Sequence, residues 1–402
     1  MRMFALLLVL AALVGCQKQD GTNGSSQANG DKGSSSANFV VTEQTGKFVI
    51  NPQFDAAYPF SEGLALVRIG DSKTGKLGFI DKQGKMVINP QFDIALNFAE
   101  GLAVVRIGDH FTGKYGFIDK QGQMVINPQF DETSDFSEGL AGVRIGNKES
   151  DIGIMEGGKW GFIDKQGKMV IAPQFDCDYF CAKFMQGLAA VRVGDNKTGK
   201  WGYIDKQGKM VINPQFDAAY GFSEGLAAVR IGDRRTGKVG FIDRQGKMVI
   251  NPQFEYDCSY FCTEFKQGLA AVGFGDATTV KMGFIDKQGK IVINPQFDWS
   301  ADFSSAGLAA VRIGDAKTGK WGFIDKQGKM VINPQFAKVG FFAEGLAKVL
   351  VGDNKTGKWG YMDKLGKMVI NPQFDENLQF EEGLAAVRIG DEKTGKWGYI
   401  SR

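Results

Sequence analysis

Seven copies of the spacing Gly-x-x-x-x-Gly-Lys are the first feature of this sequence that suggests chemistry, because phosphate-binding loops share that spacing. The copies begin at Gly70, Gly108, Gly194, Gly232, Gly314, Gly352 and Gly390. In none of them is the lysine followed by Ser or Thr, so no hydroxyl is available for Mg²⁺. The copy GDNKTGKW (residues 194–201) continues into the strand-like segment WGYID and not into a helix, whose amides would bind phosphate. The spacing therefore predicts a hairpin loop with a left-handed glycine, and we expect no nucleotide and no other cofactor.

Four cysteines lie in two matching segments, CDYFC with Cys177 and Cys181 and CSYFC with Cys258 and Cys262. Both segments lengthen a stretch that is shorter in the other copies of the repeat, and cysteines four residues apart can meet when the chain coils. We expect the disulfides Cys177–Cys181 and Cys258–Cys262 in an oxidising compartment. Pairing between the two segments and a Cys₄ zinc site are the alternatives, and haem attachment is excluded because no C-x-x-C-H motif occurs.

The ionisable residues recur in every unit, whereas catalysis needs one distinct set of groups in a special environment. The only histidine, His110, occupies a loop position that other copies fill with Ser, Asn, Arg, Ala or Glu. One arginine recurs in the motif VRIG or VRVG, at Arg68, Arg106, Arg144, Arg192, Arg230, Arg312 and Arg388. These arginines form either a ladder with the recurring carboxylates or, in the sharper interpretation, a stripe that contacts an anionic ligand in several registers. We expect no enzyme activity.

The N-terminus is typical of an exported protein. Arg2 precedes FALLLVLAALV (residues 4–14), an apolar run that fits a signal peptide and is too short to span a bilayer. The following LVGC (residues 13–16) resembles the lipobox of bacterial lipoproteins, which implies removal of residues 1–15 and acylation of Cys16. Gln17 follows the cysteine, and by the same resemblance the outer membrane is favoured over the inner one. Residues 16–38 are rich in Gly, Ser and Asn and predict a flexible tether before the folded region 39–402.

The region from residue 39 onward is one unit repeated nine times. NPQF begins at residues 51, 89, 127, 213, 251, 294, 333 and 371, with APQF at 172, so the copies are 38 to 45 residues apart. Such a period indicates a repeat architecture whose units cover one another's apolar faces. In the copy at residues 200–233, WGYID, KMVI and LAAVRI predict three antiparallel strands. We expect Pro214 to end the second strand, and Phe216, Ala219 and Phe222 to lie on one helical turn that ends at Gly225.

The fold class predicted is all-β, a tandem array of nine antiparallel three-stranded units. An open or spiralling, solenoid-like stack is favoured over its alternative, a closed β-propeller, because nine blades exceed the usual four to eight. The residue before the repeated glycine of WG varies among Trp, Tyr, Leu, Val and Met, as at Leu77, Val239 and Met282. That variation indicates packing and not ligand binding at this position.

The repeated motif KWGFIDKQGKMVINPQF…FSEGLAAV resembles the WG-repeat (KWG-repeat) family of bacterial proteins over residues 39–402. The resemblance implies a β-rich array, often exported, and no agreed activity or catalytic residues. The net charge of +3 gives no field that favours nucleic acid. We therefore expect a non-enzymatic scaffold, anchored to the membrane only through its N-terminal lipid, that binds an envelope or extracellular protein. The alternative is a module that binds cell-wall or surface polysaccharide.

Overall fold

The computed structural model describes residues 46–109, 112–149, 155–176, 183–195, 197–233, 236–255, 264–276 and 279–402. Within these ranges the chain forms 34 β-strands and no helix. Consequently none of the described residues belongs to a helix that is long and apolar enough to cross a membrane. The predicted all-β class is confirmed.

Each repeat forms one antiparallel set of strands, which we call a blade, and its strands are a, b, c and d in chain order. Blades 5 and 6 are joined in one seven-stranded sheet by the pairing of Glu255 with Gly273. Strand d of blade 9 is the N-terminal strand β1 (Phe48–Phe54). Blades 1 to 3 contain β2 (Ala56–Ser61), β3 (Leu64–Ile69), β4 (Lys76–Ile80), β5 (Met86–Phe92); β6 (Ile94–Ala95), β7 (Ala103–Ile107), β8 (Lys114–Ile118), β9 (Met124–Phe130); and β10 (Glu132–Thr133), β11 (Ala141–Glu149), β12 (Met155–Ile163), β13 (Met169–Phe175). Blades 4 to 6 contain β14 (Ala189–Val193), β15 (Lys200–Ile204), β16 (Met210–Phe216); β17 (Ala218–Ala219), β18 (Leu226–Ile231), β19 (Lys238–Asp243), β20 (Met248–Glu255); and β21 (Leu269–Phe274), β22 (Lys281–Asp286), β23 (Ile291–Phe297). Blades 7 to 9 contain β24 (Trp299–Ser300), β25 (Ala309–Ile313), β26 (Lys320–Ile324), β27 (Met330–Phe336); β28 (Lys338–Val339), β29 (Leu346–Val351), β30 (Lys358–Asp363), β31 (Met368–Phe374); and β32 (Glu376–Asn377), β33 (Leu384–Ile389), β34 (Lys396–Ser401).

The three strands predicted for each unit are confirmed as b, c and d. Strand b, such as β18, is buried over its first four residues, as expected for a strand covered on both faces. Strand d, such as β16, instead alternates, with Ile212 and Phe216 buried and Val211 exposed. The short strand a, seen in the described part of seven blades, is an addition to the predicted pattern.

The expectation that proline ends strand d is wrong. Strand d runs through Asn213-Pro214 to Phe216, with irregular register between its pairs with β15. Proline fits because d is the edge strand of the sheet, where a missing N–H and a bulge disturb no further partner. The prolines therefore mark the last strand of each blade and not the end of that strand. In blade 5 this strand also pairs onward with blade 6, through Glu255 and Gly273.

The expected helical turn is also absent from the described residues. Ala218 and Ala219 form strand a, and Ser223 and Leu226 form a β-bridge. Between them Glu224 and Gly225 both have positive φ, 50° and 88°, as in a two-residue hairpin turn. The 3.6-residue spacing of apolar side chains was misleading, because Phe222 is buried against the neighbouring blade and not on a helix.

Aromatic pairs join the blades. In each interface a ring from strand c meets the ring that precedes the a–b turn of the next blade, with centroids about 5 Å apart. The pairs are Phe79–Phe98, Phe117–Phe136, Phe162–Phe184, Tyr203–Phe222, Phe241–Phe265, Phe284–Phe303, Phe323–Phe342, Tyr361–Phe380 and Tyr399–Phe60. Tilted and edge-on pairs of this kind stabilise by roughly 1 kcal/mol beyond the area that they bury.

The ninth of these pairs joins the last blade to the first. β1 pairs antiparallel with β34, for example Ile50 with Tyr399, and Lys396 forms an ion pair with Asp55. A linear stack of nine blades has eight interfaces, but the described residues form nine apolar clusters, one of which contains Phe60, Ala65 and Trp397. No individual sheet closes on itself, yet the array is a ring. The predicted tandem array of nine antiparallel units without a closed sheet is confirmed, and β1 supplies the strand that blade 9 lacks, so the first and last blades are also in contact.

Candidate functional site

Several residues singled out in the sequence lie outside the described residues. They are Cys16, His110 and the four cysteines Cys177, Cys181, Cys258 and Cys262. Lipidation and the two disulfides therefore stay predictions. Elsewhere, the described residues contain no cluster of three or more His, Cys, Asp or Glu side chains arranged to hold a metal ion.

The recurring arginines lie at one equivalent position of strand b in seven blades. Each is directly opposite the residue that precedes the WG glycine in strand c, as Arg192 is opposite Trp201. The guanidinium groups of Arg106, Arg192, Arg312 and Arg388 lie 5.7 to 5.9 Å from the facing ring centroids. Arg106 and Arg192 are only 8% and 6% exposed. Much of this stripe is therefore engaged in packing, and its contact with a ligand stays a prediction.

The Gly-x-x-x-x-Gly-Lys segments are hairpin loops between strands b and c, as predicted. In blade 1, Ile69 pairs with Lys76 and the carboxylate of Asp71 accepts hydrogen bonds from the backbone N–H groups of Lys73 and Thr74. Gly70 has a φ of 98°. The loop thus satisfies its own amides with its own aspartate, in the place where a phosphate loop would bind an anion.

A chain of carboxylates links the blades on the opposite side of the ring. We call this side the turn face, because it carries the a–b turns (61–64 in blade 1) and the c–d turns (81–84 in blade 1). The Glu62 carboxylate accepts a hydrogen bond from the N–H of Gly101 at 3.0 Å and forms an ion pair with Lys120 at 3.1 Å. Gly101 and Lys120 both belong to blade 2. The same two bonds recur at Glu100, Glu138, Glu224 and Glu382.

The bonds of this chain lower the pKa of two of its carboxyls, Glu100 and Glu224. Burial acts to raise the pKa of Glu100, but the hydrogen bonds from Lys165 and Gly139 outweigh burial and hold the pKa below its usual value. Glu224 behaves in the same way, with Lys287 and Gly268 as donors. The glutamates of this chain are therefore paired and part of the joints between blades.

Glutamine replaces the glutamate of this chain in blades 4 and 6, as Gln186 and Gln267, and between blades 7 and 8 the chain lacks both. Blade 7 has Ser304-Ser305-Ala306-Gly307 where six blades have Glu-Gly and blades 4 and 6 have Gln-Gly, so it supplies neither a carboxylate nor an amide to blade 8. Among the described residues, Lys364 of blade 8 has no ion pair and its side chain is exposed, unlike the partly buried Lys82 and Lys120. The joint between these blades thus depends on its apolar cluster, which includes Phe342.

Blade 8 also exposes two large apolar side chains on the turn face. Leu365, in the c–d turn, is 77% exposed, and Phe341, before the a–b turn, is 54% exposed. Seven other blades have Gln at the position of Leu365, and no other described blade has an aromatic residue at the position of Phe341. The repeat signals these differences directly, since DKLGK replaces DKQGK. The sequence analysis singled out the cysteine segments as inserts in the repeat. It missed Phe341, Ser305, Lys364 and Leu365.

A buried carboxyl lies one joint away, between blades 6 and 7. The Asp302 carboxyl is 3.3 Å from the Nζ of Lys266, which in turn is 3.3 Å from the carboxylate of Glu264. Burial raises the pKa of Asp302 to about 7, although the charge of Lys266 opposes the rise. One carboxyl oxygen, Oδ1, has no hydrogen-bond partner among the described residues. Asp302 is therefore a polar group that is costly to ionise in place.

We expect the stability of the wild type to fall by about 2 kcal/mol between pH 5 and pH 7 through Asp302 alone. The folded state binds the proton more tightly than the unfolded chain, whose carboxyl titrates near 3.8, so stability is present at low pH and is lost as pH rises toward 7. In Asp302→Asn this contribution is absent. Urea midpoints of both proteins at pH 5, 6, 7 and 8 test the expectation, and parallel pH profiles would contradict it.

The fold and the turn face together define a tandem-repeat β protein, a propeller-like ring of nine similar blades with one divergent surface. Nine stretches match the family model for the WG containing repeat, at residues 43–72, 78–110, 115–148, 160–197, 201–234, 240–276, 282–315, 321–355 and 359–397. The chain belongs to this WG-repeat family. No curated protein matches the sequence.

Solved structures resemble the chain in fold. The crystal structure of Porphyromonas gingivalis dipeptidyl peptidase 4 is similar with a TM-score of 0.51 and 9% identity, over 84% of this chain and 65% of the peptidase. The acylaminoacyl peptidase of Pyrococcus horikoshii gives a TM-score of 0.38 and 9% identity, over 83% of this chain and 57% of that one. This chain therefore spans less than two thirds of the length of both peptidases. At such identities the likeness concerns the fold alone.

Proposed function

We propose that the chain is a non-enzymatic scaffold that binds another protein of the bacterial envelope through the turn face of blades 7 and 8. The single observation that carries the proposal is the exposure of Phe341 and Leu365 on a face that is otherwise polar. Exposed aromatic and aliphatic side chains beside charged groups are typical of protein interfaces. The repeated units serve as the rigid support that holds this one divergent surface.

The proposal includes anchoring through Cys16 and the tether 16–38, with the ring held near the membrane. Its support is the resemblance of LVGC to a lipobox and the absence of bulky aliphatic residues from the tether. Incorporation of labelled palmitate into the wild type and into Cys16→Ser tests the anchor. Equal labelling of the two proteins would remove the anchor from the proposal.

The interaction is tested by cross-linking in intact cells followed by purification of the tethered chain. We expect the double variant Phe341→Gln/Leu365→Gln to lose a partner that the wild type retains. Val351→Gln is the matched control, because Val351 is also a half-exposed aliphatic residue of blade 8 but lies at the end of strand b, away from the turn face. The same partner on all three proteins would place the interface elsewhere.

Polysaccharide binding is the second candidate, suggested by repeated aromatic residues next to arginines. The structure favours it less, because guanidinium groups already lie over the rings of Trp201, Trp321 and Trp397. Sedimentation with purified peptidoglycan separates the two candidates. We expect no sedimentation above that of a protein of similar size and charge.

A further inference from the structure

The interruption of the carboxylate chain leaves a set of donors on blade 8. In the intact joints a glutamate binds one backbone N–H and one lysine of the next blade, at 2.9 to 3.2 Å. Blade 8 keeps both donors, as Gly345 N–H and Lys364 Nζ. Its a–b turn also keeps the required shape, since Glu344 and Gly345 have φ of 48° and 78°. Neither donor has an acceptor among the described residues.

The surroundings of these donors strengthen the case for an anion. The guanidinium of Arg402 lies over the same turn, with Nη2 3.5 Å from where a Cβ on Gly345 would stand. On the other side of the joint, Ser305 replaces the glutamate, so blade 7 brings no negative charge. Lys364 and the Gly345 N–H therefore stand at the positions that bind a carboxylate in five other joints, and Arg402 is a further cation over the same turn.

We propose that Gly345, Lys364 and Arg402 form a site for an acidic side chain of a partner protein, and that Leu365 and Phe341 contact apolar residues beside it. This inference rests on the proposed function and names its chemistry. The ring itself shows that this donor set accepts a carboxylate, because Glu62, Glu100, Glu138, Glu224 and Glu382 bind in the same geometry. The backbone N–H alone does not discriminate, because the equivalent Gly225 N–H binds Oε1 of Gln186 at 2.9 Å. The charge-assisted bond to Lys364 is what favours a carboxylate over a neutral amide.

The occupant is a peptide segment and not a free anion. A free anion gains nothing from Leu365, which has replaced glutamine in the same turn that carries Lys364. An apolar side chain next to an Asp or Glu would cover Leu365 while its neighbour takes the place of the missing glutamate. Burial of a leucine-sized side chain would add to the affinity that the carboxylate contacts give.

The test uses the peptide acetyl-Phe-Leu-Glu-Leu-amide and its Gln analogue, with binding followed through the ¹H–¹⁵N signal of Gly345. We expect saturable binding of the Glu peptide and about tenfold weaker binding of the Gln peptide. Lys364→Glu should abolish binding. Lys367→Glu, a charge change in the same turn at a residue outside the site, should retain it.

A repaired turn provides the sharpest variant. Replacing Ser305 and Ala306 by a single glutamate restores the Ser-Glu-Gly turn of blades 1, 3 and 5, so the protein's own carboxylate should occupy the site and exclude the Glu peptide. Equal binding of the Glu and Gln peptides, or undiminished binding to the repaired protein, would overturn the inference. Inorganic phosphate that displaces the Glu peptide at equal concentration would overturn the choice of a peptide.

The proposed function and this inference fail in different ways. If the envelope partner is lost from Phe341→Gln/Leu365→Gln but stays on Lys364→Glu and on the repaired protein, the interface stands and the carboxylate site falls. If the Glu peptide binds as expected but no partner is recovered from cells, the site stands and the function falls.

Discussion

Tyr399→Ala is expected to lower the free energy of unfolding by about 3–5 kcal/mol, as for other large aromatic residues removed from a core. The side chain is fully buried, its ring is 5.0 Å from that of Phe60 and its hydroxyl donates to the carbonyl of Tyr58 at 2.9 Å. All of these contacts cross from blade 9 to blade 1. The loss therefore measures the joint that closes the ring, through the urea midpoint and through amide exchange of β1.

Tyr361→Ala is the matched control, because Tyr361 makes the same contacts between blades 8 and 9. Its ring lies 4.8 Å from Phe380 and its hydroxyl donates to the carbonyl of Leu378 at 2.6 Å. In a ring the two substitutions should cost similar amounts, since the two joints are equivalent. A large loss for Tyr361→Ala with no loss for Tyr399→Ala would show that the ends of the array are free.

Gly202→Ala is expected to cost about 3 kcal/mol, at the upper end of the range for overpacking. A Cβ at this position would lie 2.4 Å from the carbonyl oxygen of Ile212 and 2.8 Å from the nitrogen of Pro214. Both are backbone atoms of strand d, so no side chain can move aside to relieve the contact. The urea midpoint of the variant measures the cost, and a small change would mean that strand d shifts easily.

Gly225→Ala is the comparison for that prediction. A Cβ on Gly225 would meet nothing within 4 Å, but its φ of 88° is unfavourable for alanine. We expect a cost of about 1–2 kcal/mol from the backbone conformation alone. A larger loss for Gly225→Ala than for Gly202→Ala would show that close packing at the glycine of WG costs less than the left-handed conformation in the a–b turn.

These glycines explain a pattern that the sequence showed without its cause. The residue before glycine varies from Trp160 to Val239 because it packs in a site that accepts several shapes. The glycine itself is present in all nine units because strand d crosses its Cα closely. Sequence variation was enough to identify the residue before the glycine as a packing position. The need for the glycine itself becomes clear only from the short distance between strands c and d.

Local pattern was sufficient for strands b and c and insufficient where contacts between blades decide the structure. Alternation and strand-forming residues predicted LAAVRI and WGYID, and the buried Phe positions follow from the repeat. Pro214 was misread because a sequence does not reveal which strand is the edge. Contact between the first and last blades was left as an alternative for a related reason: the pairing of β1 with β34 joins segments at opposite ends of the chain.

The candidate site was within reach of the sequence only in part. The substitution of Leu365 for glutamine and of Ser305-Ala306 for glutamate can be seen by aligning the nine units. Their meaning depends on knowing that the a–b turn of one blade touches the c–d turn of the next, which only the ring supplies. The arginine stripe was singled out instead because it repeats, and its contact with a ligand stays a prediction.

The strand that completes blade 9 is the first to leave the ribosome, and its partner β34 is the last. Until residues 396–401 have been made, the edge of β1 has no partner strand in its own chain. The edge of β34 is likewise unpaired for as long as β1 has not docked against it. Two nascent copies in proximity offer each other the missing edge, with the same side chains and hydrogen bonds. Strand exchange between copies is thus the characteristic assembly error of this architecture, and dilution during refolding should suppress it.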